Sequence, residues 1–459
     1  KIPMVLADGL FWLFIGMPLV YLFYHLLMSV PQSNTSIIMI KQAVNGIANA
    51  LLARLIFMGY SLLVGTSKIS YKEILSNLLI FFMMFPMLAM LARESRIDFS
   101  DSDHNIRSNL VHDSSIIDHR LDNWLQNRIF SLTNLANLAA SNTPEQMQYY
   151  LEHAKQLDSN LLRMGMIDKD GISVAFLPLI DEKGQKSIGR NFADRPYITS
   201  LKQTLKPMLS EVFLGKIGTP GPMVILLVPV LVDGQYNGYI SSALKLEQVQ
   251  EELNKDLQQR ATLYTLLDKN NRVIMSNRTD QKIMQPFVRD KGELKPLGGI
   301  LSQWLPTQGH NISVNKSWVN SLYVAESVIG DFAEWRLVLE QPVAPFGKML
   351  YAKYSDSLLQ IFLLLIVTML VAEFLSRKLI STIKRLTSLT QDLPLRWDRG
   401  DENIDWPETG INEVNLLTNN FREMSSLLSS QFREVRQINE SLEQRVEQRT
   451  KEMQEQSTR

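Results

Sequence analysis

MGMIDKDGISVAF, residues 164–176, is echoed a hundred residues later by YTLLDKNNRVIMS, residues 264–276. Each copy is an apolar run, an Asp-Lys turn, and a second apolar run, the pattern of two short strands joined by a tight turn. One hairpin written twice predicts two similar lobes in tandem. Around the first copy lie Val224 to Val232, the turn Asp233-Gly234, and Tyr239 to Leu244, a second hairpin, followed by a helix from Leu246 to Gln259. Around the second copy, strands are expected at Ile312–Val314, at Ser321–Ser327 and at Trp335–Glu340, where Pro342 and Pro345 stop the last one.

The segment before the lobes changes period. Ile106, Leu110, Ile117, Leu121, Trp124, Ile129, Leu132 and Leu135 recur at spacings near three and four, which predicts one long amphipathic helix. Asn142 and Pro144 end it. Thr143 with Gln146 then forms a capping box, with Pro144 at the first helical position, so a second helix runs to Leu162.

Outside these lobes the chain is apolar. Leu358 to Phe374 is long enough to cross a bilayer, as are Val5 to Val30 and Ile74 to Ala92. Ile37 to Val64 is a fourth span interrupted by Lys41, Asn45, Asn49 and Arg54. Counting it places Lys68 and Lys72 on the same side as Arg377, Lys378, Lys384 and Arg385, the side that positive charge marks as cytoplasmic, and Arg93 and Arg96 on the other. The lobes are then outside. Lys41, Asn45 and Asn49 share one helix face and read either as a second small-molecule site or as helix-packing and interfacial residues. After the last span, Leu379, Ile383, Leu386 and Leu389 mark a short helix, and a connector holds Pro394, Gly400, Trp406 and Pro407. A second helix carries Val414, Leu417, Phe421, Met424 and Leu428. It continues into Phe432, Val435, Ile438, Leu442 and Val446 near heptad spacing, a parallel coiled coil.

Composition narrows the function. Forty-seven basic and forty-seven acidic residues balance, which gives no electrostatic case for nucleic acid. No cysteine is present, so disulfides, thiolate metal sites and cysteine nucleophiles are excluded. All six histidines precede residue 311 and no Gly-rich nucleotide loop follows the last span, so this stretch is expected to carry no catalytic domain and to need no cofactor. His104, His112 and His119 lie near two-turn spacing and read as a solvated or dimer-facing stripe.

The long first helix, the tandem lobes, GRNFADRPYI at 189–198 and the closing WRLVLEQP resemble a double Cache sensor domain, a pair of PAS-like lobes. INEVNLL at 411–417 and NNFREM at 419–424 resemble a HAMP relay, although Thr382 stands where many members have Pro. SLEQRVEQRTKEM resembles the linker into bacterial sensor kinases. These resemblances imply an α+β membrane protein: spans in 1–96, an extracytoplasmic domain in 97–355 with lobes at 163–245 and 262–342, a span in 356–376, HAMP in 377–430 and a coil in 431–459.

The resemblance also implies a site. The membrane-distal lobe holds the ligand, with Arg195 and Tyr197 facing it beside Asp194. A guanidinium grips a carboxylate through two parallel bonds and a phenol adds a directional donor. Amino-acid-binding members have Trp where this chain has Pro196, and an acid on the lobe's last strand where it has Ser242 and Ala243. The expected ligand is therefore a carboxylate or similar small anion. The alternative to a ligand-binding role is a structural one, in which Arg195 pairs with Asp194 or a loop carbonyl and Tyr197 packs in the core. Glu413 and Phe421 are expected as register and packing positions of the relay. The implied whole is an inner-membrane homodimeric receptor of a two-component system, driving a histidine kinase and its response regulator. A diguanylate cyclase receptor, or a transporter with an accessory outer domain, is the alternative.

Overall fold

The computed structural model describes residues 3–65, 69–218, 220–258, 260–307, 314–330, 335–398 and 404–457. Lys68, Gln259, Ile312 and Gly400, named above, lie outside the described residues. The chain forms two compact units, one from Arg96–Tyr351 and one from Lys1–Ser95 with Ala352–Arg459. The class is α+β, with long helices and two principal antiparallel sheets.

In the first unit the distal lobe contains β1 (Leu161–Asp168), β2 (Ser173–Leu177), β3 (Met208–Leu209), β4 (Phe213–Leu214), β5 (Pro222–Met223), β6 (Ile225–Val232) and β7 (Gln235–Leu244). Five of these make a sheet in the order β2-β1-β7-β6-β3, while β4 and β5 pair separately. The proximal lobe contains β8 (Leu263–Leu267), β9 (Val273–Ser276), β10 (Gly292–Gly298), β11 (Leu301–Pro306), β12 (Leu322–Ile329) and β13 (Trp335–Pro342), ordered β10-β11-β12-β13-β8-β9. The repeated hairpins are β1–β2 and β8–β9, antiparallel in both lobes. The first turn closes through Gly171, whose φ of +87° puts the backbone where L side chains rarely go. The β10–β11 hairpin was not expected from sequence, and 314–319, where a strand was expected to end, begins a short helix instead.

One helix, Tyr71–Ala139, carries both the third apolar span and the expected amphipathic helix. Its buried stripe, including Ile106, Leu110, Ile117, Leu121, Leu125 and Leu132, packs in one cluster with sheet residues of both lobes, among them Met164, Leu226, Ile240, Tyr264, Leu337 and Leu339. Each such side chain, removed from water, contributes about 1.5–3 kcal/mol, which is what holds both sheets on one rod. The helix ends where Asn142 Nδ2 donates to Leu138 O at 2.8 Å, and Gln146 accepts the Thr143 N–H at 3.0 Å to start Pro144–Leu157. His104, His112 and His119 are exposed on the helix.

Polar contacts also fasten this helix to β12 and to the short helix 314–319 before it. Trp318 Nε1 donates to Asp103 Oδ1 at 3.1 Å, and Ser327 Oγ donates to Asp118 Oδ1 at 2.8 Å. Burial raises the Asp118 carboxyl above its ordinary value, and the Ser327 hydroxyl offsets only part of that. A raised folded-state value means the group's contribution is fully present below the unfolded pKa, near about 4, and is lost as pH rises through the folded one. Asp118→Asn keeps an oxygen for Ser327 and removes the charge. It is expected to raise the melting midpoint at neutral pH, with the gain vanishing below about pH 4. Thermal melts at the two pH values check this, and a lowered midpoint at neutral pH contradicts it.

In the second unit, among the described residues, four helices are long and apolar enough to cross a membrane: Met4–Leu27, Asn34–Val64, and the apolar parts of Tyr71–Ala139 and Ala344–Leu393. Ile40, Ile47, Leu51, Ile80, Phe362 and Leu365 belong to their shared core. Lys41, Asn45 and Asn49 are exposed on the other face of their helix, so they are not packing residues within this bundle. Glu373 Oε1 accepts from Lys72 Nζ and Arg377 Nε, each at 2.5 Å, and Arg54 Nε donates to Glu73 at 2.5 Å. The short helix expected at 379–389 is not separate; it continues an unbroken helix, Ala344–Asp398. The expected second helix and coil are likewise one helix, Asn412–Ser457, on which Glu413 is exposed in the first turn and Phe421 is half-buried.

Candidate ligand-binding pocket

Strand alternation gives the distal sheet two faces. Met164, Met166, Leu226, Val228 and Ile240 face the long helix. Ile167, Phe176, Leu227 and Tyr239 face the opposite way, where they pack with Phe192, Ile217 and the helix Tyr197–Thr204. That helix follows Pro196 directly and lays Tyr197, Ile198 and Leu201 against the sheet.

A pocket opens on this second face. Aromatic walls come from Phe176, Phe192, Tyr197, Phe213 and Tyr239, and the polar lining from Arg163, Arg195, Lys216 and Ser241. None of the described residues lining it is acidic. The cavity measures about 30 Å3, room for roughly two water molecules.

The three cations are held differently. Arg163 donates to Ile217 O at 2.5 Å and to Glu182 Oε1 at 2.8 Å. Lys216 is paired with Asp194, and that hydrogen bond holds the Asp194 carboxyl below its usual value. Arg195 lies over the Phe213 ring at 4.6 Å and reaches only a carbonyl, Leu214 O, at 3.3 Å. Its Nε is buried without an acceptor.

Tyr239 is 1% exposed, and its hydroxyl has no hydrogen-bond partner of normal geometry. Its ring meets Tyr197 edge-on, centroids 6.4 Å apart, and Tyr197 meets Phe213 at 5.8 Å. Burial pushes both phenols above the ordinary tyrosine value, so each is a neutral donor here.

Arg195 and Tyr197, singled out from sequence, therefore line the pocket together. Asp194 does not; it is a mostly exposed partner of Lys216 at the rim. Of the two β7 residues weighed from sequence, Ala243 lines the pocket and Ser242 lies on the other face, its place taken by Ser241. Arg163, Phe213, Lys216 and Tyr239 were missed. The available signal was the period-two pattern of β7, which puts Tyr239, Ser241 and Ala243 on one side.

No protein-family model and no curated protein matches this sequence. Among solved structures, the chain is similar to the ligand-binding domain of the Pseudomonas aeruginosa PAO1 amino acid chemoreceptor PctB in complex with L-Arg. The identity is 19% and the TM-score 0.43, over 53% of this chain and 91% of that one. It is also similar to the ligand-binding domain of the Pseudomonas fluorescens chemoreceptor CtaA with L-alanine, at 16% identity and TM-score 0.39, over 51% and 96%. A third is the PctC domain of Pseudomonas aeruginosa PAO1 with GABA, at 14% identity and TM-score 0.38, over 51% and 99%.

Proposed function

We propose that this chain is the receptor and relay of a bacterial membrane signalling protein, and that its distal pocket binds a small carboxylate outside the cell. The observation that carries the reading is the lining itself: three cations and the buried Tyr239 phenol beside Tyr197, with no acid among the described lining residues to receive an ammonium group. A carboxylate can take the open Arg195 Nε and the Tyr239 hydroxyl at once. An α-amino acid would leave its ammonium beside cations, and burying an unpaired charge is costly.

The relay half of the reading rests on the helix Ala344–Asp398, which runs from the proximal lobe into the last apolar span, and on the helix Asn412–Ser457. On the latter, Phe432, Val435, Leu442 and Val446 are exposed at coiled-coil spacing, a seam that a second copy of the chain would cover. Glu413 and Phe421 would set register in such a homodimer. The HAMP and kinase-linker resemblances make a histidine kinase acting on a response regulator the proposed output.

The chain has no cysteine, so Leu442→Cys introduces a single reporter. In membranes carrying that variant, oxidation is expected to give disulfide-linked dimers. Acetate, succinate or benzoate is expected to change their rate of formation, and putrescine is not. Absence of dimers overturns the relay, and a rate indifferent to every carboxylate overturns the proposed ligand class.

A further inference from the structure

The two repeated turns are built alike. Asp168 Oδ1 accepts the N–H groups of Asp170 and Ile172 at 3.0 and 2.9 Å. Asp268 Oδ1 accepts those of Asn270 and Arg272, both at 2.9 Å. Asp268 then does one thing more. Its second oxygen, Oδ2, accepts the N–H of Val212, a distal-lobe residue, at 3.2 Å, and Asp268 and Val212 are 1% and 2% exposed. Beside this bond Lys269 pairs with Glu211 at 3.6 Å.

Val212 immediately precedes Phe213, the ring on which Arg195 rests and against which Tyr197 packs. A cavity of about 30 Å3 is too small for a carboxylate with several carbon atoms, so an entering ligand has to displace a wall. The sheet residues are fixed by their ladder, whereas β4, which holds Phe213, pairs only with the two-residue β5. A buried N–H without an acceptor is costly, so the Val212 bond holds as its neighbour moves.

We propose that Asp268 is the positioning residue through which the distal pocket acts on the proximal lobe. Displacement of Phe213 draws on the Val212 N–H and tilts the turn between β8 and β9. β8 pairs with β13 through Leu267 and Arg336, and β13 is followed, after Val343, by the helix Ala344–Asp398 that carries the last apolar span. The proposal rests on the distal pocket being the sensing site, but its test uses no ligand and so stands or falls separately from the ligand class.

Phe213→Ala serves as the perturbation, and amide hydrogen exchange of the full chain in detergent as the readout. In the wild-type background it is expected to speed exchange both near residues 208–214 and in β8–β9. The expected change in β8–β9 is roughly 2- to 30-fold, the range for coupling between packed sites. Asp268→Asn keeps the turn acceptor but turns an amide N–H2 toward Val212, a donor facing a donor. In that background the β8–β9 response to Phe213→Ala is expected to disappear while the distal response remains. Asp168→Asn makes the same change in the turn that lacks the cross-lobe bond and is expected to leave the response intact. If Asp268 were merely structural, Asp268→Asn would raise exchange in β8–β9 outright without changing the Phe213→Ala ratio, and that result overturns the proposal. So does loss of the response in Asp168→Asn, or its absence in the wild type.

Discussion

Glu340→Ala is expected to destabilise the first unit by about 3–5 kcal/mol, the cost of breaking a buried ion pair from one side. The Glu340 side chain has no exposed area, and both its oxygens are engaged. Arg278 Nη1 donates to one, and Arg289 Nε donates to the other at 3.2 Å. Those arginine side chains are 9% and 17% exposed, and they also reach Asp280 at 2.6 Å and Glu326 at 3.2 Å. Removing the central carboxylate leaves two cations buried with only rim acids to balance them. Glu340→Gln is expected to cost less, since its amide oxygen still accepts from one arginine while its N–H2 opposes the other. Denaturant titration followed by protection of the β13 amides in hydrogen exchange measures both variants. A loss under about 1 kcal/mol for the alanine variant, the size of an exposed pair, shows that the network does not carry the lobe.

The position of Glu340 also sets the proximal sheet apart from the distal one. The repeats align Met164 with Tyr264; Ser242 pairs with Met164 and Leu339 pairs with Tyr264. Ala243, which lines the distal pocket, is thereby the counterpart of Glu340. In the proximal lobe that position holds an acid already satisfied by two arginines of the same lobe. In the distal lobe it holds a methyl group, and the cations around it are left with rim carboxylates or none.

The repeat, the β6–β7 hairpin and the long helix were legible because each writes its period into the apolar residues. The β10–β11 hairpin was not. GELKPLG, residues 292–298, is exposed at every position, so no buried face imposes alternation on it, and its Gly and Pro residues read as loop. Two of the lining residues, Arg195 and Tyr197, were named through the family resemblance. The rest was not, because Arg163, Lys216 and Tyr239 come from separate segments and meet only when β1 pairs with β7 and the 213–223 segment folds over them. Asp268 could not have been told from Asp168: their turns have the same hydrogen bonds, and the difference lies in a backbone N–H more than fifty residues away.

Arg195→Ala is expected to weaken carboxylate binding by about 2–5 kcal/mol, the cost of truncating one side of a buried, hydrogen-bonded charge pair. At 1.4 kcal/mol per decade that is a loss of roughly 30- to 3,000-fold in affinity. Three cations line the pocket, and the other two are already engaged. Arg163 is fixed by Ile217 O and Glu182, and Lys216 by Asp194. Among the described residues, Arg195 alone of the three has a buried N–H with no acceptor, so it gains most when an anion arrives. Arg195→Lys keeps the charge but neither the planar fork nor its stacking on Phe213, and is expected to fall between wild type and alanine. Lys216→Ala is expected to change affinity by much less, since its ion pair with Asp194 is solvent-exposed. Calorimetry or thermal shift with the carboxylate that alters Leu442→Cys crosslinking gives all three values. Equal losses for Arg195→Ala and Lys216→Ala would mean that the pocket attracts anions by general charge, and that no single guanidinium reads the ligand.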